Sequence, residues 1–250
     1  MNDDQLLHVC HQVVDAVASA LAGLDDWQRP GERPGQYGLD VVADRAALAV
    51  LDGTRLGVLS EETGAHDSSA PLVAVIDPVD GSTNASRRLA WFASSICVVD
   101  AEGPRVAVVA NLANGTRYHA VRGGGAWRGE TPLKPSGCRE MNRAVIGFSG
   151  YPHRYFGWAQ YRAFGAAALD LCAVAEGSLD AFSAVGLAHL GPWDYLGGVL
   201  LCTEAGAVVA DLDGGELVSL DHSARRAVAA CATPELMEQL RSGVAASRPG

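Results

Sequence analysis

The segment that constrains this chain most is Ile76-Asp77-Pro78-Val79-Asp80-Gly81-Ser82-Thr83-Asn84, which follows directly on the β-prone run Leu72 to Ile76. A strand that ends in two carboxylates three residues apart carries acid to the edge of a sheet. Pro78 fixes the backbone between them and Gly81 permits close approach, so both carboxylates and a peptide carbonyl can converge on one hard cation. Gly81 and Ser82 then open a turn or helix whose N–H groups can hold a phosphate. The same residues also read as a strand closing in an acidic Asx-type turn, since Asp, Pro, Gly, Ser and Asn are the usual turn formers. Further acid at other element ends shifts the balance toward chemistry: Glu61-Glu62 after the short strand Gly57 to Ser60, and Asp194 in Pro192-Trp193-Asp194 ahead of a helix. Such a cage is costly without a cation, because like charges raise each other's pKa. Magnesium, which takes about six oxygen ligands and keeps waters, suits carboxylates drawn from separate segments.

Around this segment the periodicity predicts an α+β chain. Leu6, Val9, Cys10, Val13, Val14, Val17 and Leu21 share one face of a helix over 3–24, with Asn2 or Asp3 as its cap. The Pro- and Gly-rich stretch 28–38 is a loop, and a second helix runs over 43–53. Ile96–Val99, Val106–Ala110 and Arg117–Val121 form an antiparallel meander, with Gly123-Gly124-Gly125 as a hairpin or bulge. Beyond it come a strand over 144–148, helices over 159–175 and 194–205, and strands over 207–211 and 227–231. No internal repeat occurs. With 250 residues, 48% of them hydrophobic, the chain can bury one large core or two fused lobes, divided near residue 140 into 1–140 and 141–250.

Bulk properties argue against several main partners. A formal net charge of -10 and a pI near 5.1 repel nucleic-acid polymers and anionic membranes at long range. The six cysteines are scattered without a CxxC pair, which predicts buried thiols in a reducing cytoplasm rather than a zinc site or a disulfide framework. The opening MNDDQLLHV is acidic where a signal peptide is basic, and no window approaches the roughly 20 apolar residues that span a bilayer.

Taken in order, Leu59-Ser60-Glu61-Glu62-Thr63-Gly64, Asp77 to Asn84, and Trp193-Asp194 leading to Gly197-Gly198 and Glu204-Ala205-Gly206 resemble the signatures of the inositol monophosphatase family of lithium-sensitive, magnesium-dependent phosphatases. Supporting matches are Ala43-Asp44-Arg45-Ala46 and Gly165 to Asp170, and the resemblance covers roughly residues 5–240. It implies a layered αβαβα sandwich of the sugar-phosphatase type, a cytoplasmic homodimer, and two or three Mg2+ ions. It places Glu61, Asp77 and the Val79 carbonyl on the first ion, and Asp77, Asp80 and Asp194 on the second. Ser82 with Glu61 positions the attacking water, and Asp44 supports the Ser82 hydroxyl. The N–H groups of Gly81 and Ser82 bind the phosphate, and Gly165, Ala166 and Ser183 complete the substrate-binding residues. The implied reaction is direct in-line hydrolysis of a small phosphate monoester by metal-activated water, without a phosphoenzyme. An aspartyl-phosphate enzyme of the DxDxT kind is the rival, but its aspartates lie two apart.

The chain departs from the family pattern in places. Where members that prefer inositol phosphate carry an acidic residue, Ser183 stands in Asp180-Ala181-Phe182-Ser183, and the loop onward to Trp193 is long. Inositol phosphates, histidinol phosphate, fructose bisphosphate and 3',5'-bisphosphate nucleotides all stay open as substrates. A non-catalytic, metal-dependent binder of a phosphorylated metabolite is the alternative from another class. Arg87 and Arg88 read as a solvated loop, and His153 and His189 as structural.

Overall fold

The first helix, α1 (Asp3–Ala22), buries the seven residues its periodicity selects, and Asn2 caps it by accepting the Gln5 N–H at 2.9 Å. With α2 (Gly38–Leu51) it covers one face of an eight-stranded sheet. The strands are β1 (Gly57–Ser60), β2 (Gly64–His66), β3 (Val73–Asp80), β4 (Ala93–Asp100), β5 (Gly103–Asn111), β6 (Arg117–Val121), β7 (Gly125–Arg128) and β8 (Thr131–Pro132), in the order β2-β1-β3-β4-β5-β6-β7-β8. Among the described residues β1 and β3 are the parallel pair of this sheet; its other neighbours are antiparallel, with β4, β5 and β6 forming the expected meander. The five-residue helix α3 (Ser82–Ser86) leaves β3 immediately. This computed structural model describes residues 1–67 and 69–247, so the last three residues of the expected second lobe lie outside the described residues.

The second sheet has five strands, β9 (Val145–Gly150), β10 (Gln160–Arg162), β11 (Ala181–Val185), β12 (Val208–Asp211) and β13 (Val228–Cys231), in the order β10-β9-β11-β13-β12. Helices α4 (Ala167–Ala175) and α5 (Pro192–Ala205) fill the space between the sheets, sharing one apolar cluster with residues of both, such as Val75, Val109, Phe182 and Ala230. The helix α6 (Pro234–Ser247) packs on the outer face of the second sheet against Ile146, Phe148 and Cys231. The layers therefore run α1/α2, sheet, α4/α5, sheet, α6, which is an αβαβα sandwich. The division expected near residue 140 falls between the sheets, and α4 and α5 pack against both. Five of the six cysteines are buried, Cys138 is half-buried, and all are free thiols.

Two expected helices shift. The second starts at Gly38 rather than near residue 43, because Tyr37 acts as its N-cap and Asp40 accepts the Tyr37 N–H at 2.9 Å. The helix expected over 159–175 begins only at Ala167. Gly165 sits at φ +86° and breaks it, and Gln160–Arg162 instead pairs parallel to Val145–Gly147 as an edge strand.

The central helices approach closely because α5 carries glycine where they meet. A Cβ on Gly198 would lie 2.5 Å from the Leu171 Cβ, and one on Gly197 would lie 3.0 Å from the Ser95 Oγ. Gly198→Ala is therefore expected to destabilise the protein by about 1–3 kcal/mol through overpacking, read as a lowered midpoint in denaturant unfolding; an unchanged midpoint would show that the helices yield freely.

Candidate active site

In a regular strand, residues three apart point to opposite faces. Asp77 and Asp80 escape this rule through a bulge. Asp77 pairs with Ser95 and Asp80 with Ala93, so Pro78 and Val79 oppose the single residue Ser94. Pro78, lacking an N–H, loses nothing where the ladder is broken. The parity of β3 inverts across the bulge: Val73 and Val75 face the middle layer and Ile76 the α1/α2 side, yet Val79 also packs on the α1/α2 side. Both carboxylates thus reach the middle-helix side. Asp80 Oδ2 accepts the Ala168 N–H at 2.7 Å in the first turn of α4, and Asp77 Oδ1 accepts the Val79 N–H at 3.0 Å.

Two other segments complete the site. Glu61 continues the β1–β3 ladder by donating its N–H to the Ile76 carbonyl at 3.1 Å, which sets it beside Asp77. Asp194 lies in the first turn of α5, where Oδ2 accepts the Gly191 N–H at 2.7 Å. Ligand oxygens of Glu61, Asp77 and Asp194 lie within 4.8 Å of one another. Asp80 stands beside this trio and shares its electrostatics, with one oxygen committed to α4. Burial is the largest cause that drives all four carboxyls upward, followed for Glu61, Asp77 and Asp80 by the neighbouring carboxylates; Glu61 is pushed to about 8 and Asp194 to about 6. An all-oxygen donor set from three segments, with its negative charge opposed only in part, fits a hard divalent cation.

The remaining expected residues divide. Gly81 adopts φ +84° and packs against Gly165 and Ala166, a Cβ there lying 2.9 Å from the Gly165 carbonyl oxygen, so these three meet at the start of α3 with Ser82. Asn84 ties this junction by donating to the carbonyls of Trp91 (2.8 Å) and Phe164 (2.6 Å). Ser183, by contrast, does not reach the site. It is fully buried, and its hydroxyl donates to the Ala184 carbonyl at 3.2 Å. It alternates with Phe182 and Ala184, which face α4 and α5, and so it lies on the outer face of β11 with Ala181 and Val185.

The expected support of Ser82 by Asp44 also differs. Asp44 accepts the Ser60 hydroxyl at 2.5 Å, whereas Asp40, one helical turn earlier, is the carboxyl beside Ser82. Asp40 is almost wholly buried, and burial pushes it to about 6 against the opposing pull of the Tyr37 N–H and the Ser82 hydroxyl. Its Oδ1 makes no hydrogen bond among the described residues. That orphaned oxygen is available to a serine hydroxyl that turns toward it.

Sequence reasoning missed His222. Its ring packs on Trp193 at 4.7 Å between centroids, and Nε2 stands 3.1 Å from the Glu61 carbonyl oxygen. Nothing in its sequence neighbourhood signals this, since 161 positions separate it from Glu61. Arg33 and Gln36 both donate to Glu62, which the long α1–α2 loop thereby occupies.

The sequence and the fold both match known proteins. The model of the inositol monophosphatase family matches residues 40–247. The chain is 35% identical over 194 residues to the Nus factor SuhB of Salmonella typhimurium, covering 69% of this chain and 71% of that protein. It is 32% identical over 227 residues to the fructose-1,6-bisphosphatase/inositol-1-monophosphatase of Archaeoglobus fulgidus, covering 87% and 88%. Its fold matches that of a Pyrococcus horikoshii protein described as similar to inositol-1 monophosphatase, with a TM-score of 0.88, 23% identity, and 97% and 99% of the two chains covered.

The raised carboxyls carry a sign. A carboxyl whose folded pKa exceeds its unfolded value stabilises the fold at low pH and loses that contribution as pH rises toward the folded value. For Glu61 the loss runs from its usual 4.5 to about 8, and for Asp194 from 3.8 to about 6. Stability in EDTA is therefore expected to fall between pH 5 and pH 8, and saturating Mg2+ to remove most of that fall. Thermal melts across this range check it; identical melting profiles with and without Mg2+ would count against a cation site.

Proposed function

The chain belongs to the inositol monophosphatase family, and from that premise we propose that it is a Mg2+-dependent phosphomonoesterase whose ligands are Glu61, Asp77, Asp80, Asp194 and the Val79 carbonyl. It is a phosphatase of small phosphorylated metabolites, as its family is. The observation that carries the assignment of ion and ligands is the convergence of Glu61, Asp77 and Asp194 within 4.8 Å from three separate segments. When bound, Mg2+ ions, two or three per chain, supply Lewis-acid stabilisation to the phosphoryl oxygens and the departing alkoxide.

The chain's own residues do the rest. Asp40 Oδ1 takes the Ser82 hydroxyl proton in a hydrogen bond and turns the Ser82 oxygen's lone pairs outward. Ser82 Oγ and the Glu61 carboxylate then hold the attacking water from two sides, and Glu61 accepts its proton. The N–H groups of Gly81 and Ser82, at the start of α3, bind the phosphate with Gly165 and Ala166 beside them. Asp44 acts at a distance, by fixing Ser60 and through it the Glu62 N–H, which donates to Ser60 Oγ at 3.2 Å.

Phosphate release from inositol 1-phosphate, fructose 1,6-bisphosphate, histidinol phosphate and a 3',5'-bisphosphate nucleotide tests the proposal. Turnover is expected with Mg2+ and not in EDTA, with lithium inhibitory, and Asp77→Asn is expected to lower kcat by about a thousandfold or more. A folded protein that binds these esters with Mg2+ yet releases no phosphate would support the non-catalytic binder instead. Asp40→Asn is expected to lower kcat by about a hundredfold with little change in KM, while Asp44→Asn acts chiefly on the melting temperature. The reverse pattern would return the supporting role to Asp44.

A further inference from the structure

Arg225 differs from the other arginines near the cage. Arg33 pairs with Glu62, and Arg226 with Asp211 and the Glu216 carbonyl. Arg225 has no carboxylate ion-pair partner among the described residues. Its Nη1 is held by the carbonyls of His222 at 2.9 Å and Ala224 at 2.8 Å, and its guanidinium carbon lies 5.1 Å from the centre of the Trp193 ring. The residue is exposed, so the Nη2 and Nε edge of the fork remains open to a ligand. Its charge reaches Asp194, where it opposes the effect of burial.

The loop that carries Arg225 is fixed to the site at two points. His222 stacks on Trp193, immediately before Asp194, and its Nε2 stands 3.1 Å from the Glu61 carbonyl oxygen. The guanidinium is thus an oriented, planar cation at the rim. Such a group suits bidentate binding of a phosphate far better than binding of neutral hydroxyls. The neighbouring strand β11 (Ala-Phe-Ser-Ala-Val) offers no carboxylate to accept polyol hydroxyls, and its one hydroxyl is turned away.

We propose that Arg225 is a specificity residue that binds a second phosphate carried on the alcohol portion of the substrate, so that the enzyme favours bisphosphorylated metabolites over monophosphates of neutral polyols. This rests on the phosphatase reading above and adds the class of leaving group to it.

The test compares wild type with Arg225→Gln, using fructose 1,6-bisphosphate and inositol 1-phosphate as probes. In Mg2+, the substitution is expected to lower kcat/KM for the bisphosphate by about tenfold or more, mostly through KM, and to change the monophosphate by less than about threefold. Arg225→Lys, which retains the charge but not the fork, is expected to recover only part of the loss. Calorimetric binding of both probes with Ca2+ in place of Mg2+ gives a second readout that needs no turnover, and there wild type is expected to bind the bisphosphate more tightly and Arg225→Gln to lose that preference. Absence of turnover with preferential binding intact would count against the phosphatase reading alone. Equal losses for the two probes, or wild-type binding that does not prefer the bisphosphate, would overturn the role of Arg225. The retained activity or binding of the variant toward the monophosphate shows that it is folded.

Discussion

The structure is organised around an unfavourable arrangement: carboxylates from β3, the end of β1 and the start of α5 buried against one another. Three of the four have a partial remedy. Val79, Gly191 and Ala168 donate main-chain N–H groups to Asp77, Asp194 and Asp80. A hydrogen bond to a charged group contributes roughly 1.5–3 kcal/mol, whereas burying an ion with no counter-charge costs several kcal/mol. The amides therefore orient the carboxylates without neutralising them. Holding Glu61 near 8 rather than 4.5 corresponds to a penalty on the order of a few kcal/mol on its ionised form. A divalent cation offsets that penalty, and the rest of the chain provides the stability that holds the acids together without it.

That stability comes from the layers. The bulge at Pro78-Val79 turns both aspartates of β3 toward the middle helices; Gly197 lets α5 approach Ser95 of the first sheet closely, and Gly198 lets it approach Leu171 of α4. The core that fills the middle layer draws on both sheets. Asp194 and the Ala168 amide are thus placed by the same packing that stabilises the fold. A small repacking of α5 or α4 would move a ligand, which is why the site depends on residues distant from it in sequence.

Much of this was legible in the sequence where local chemistry and global position agree. The acidic turn after β3, the acid at the end of β1 and the Trp-Asp pair at the start of α5 all lie at element ends marked by Pro, Gly or a change of periodicity. The legibility failed where a boundary depended on unusual capping. Tyr37 is not a preferred N-cap, so the start of α2 is hidden in a Pro- and Gly-rich stretch, and with it Asp40, which lies beside Ser82 while Asp44 accepts the Ser60 hydroxyl. Ser183 falls on the outer face of β11 because, on a strand, one residue of register decides which face a side chain takes. The apolar pattern of 159–175 suggested one helix, but a left-handed glycine at 165 divides it. His222 and Arg225 carry no local signal, because only the tertiary fold brings the β12–β13 loop to Glu61 and Trp193.

The claim on which the account rests is that Glu61, Asp77 and Asp194 enclose a divalent cation. Crystals grown with Mn2+ in place of Mg2+ would test it through the anomalous scattering of the metal. The account predicts an anomalous peak within coordination distance of oxygens from all three carboxylates, with the side chains otherwise placed as described. Well-ordered carboxylates with no peak between them, or manganese bound only elsewhere on the molecule, would contradict it.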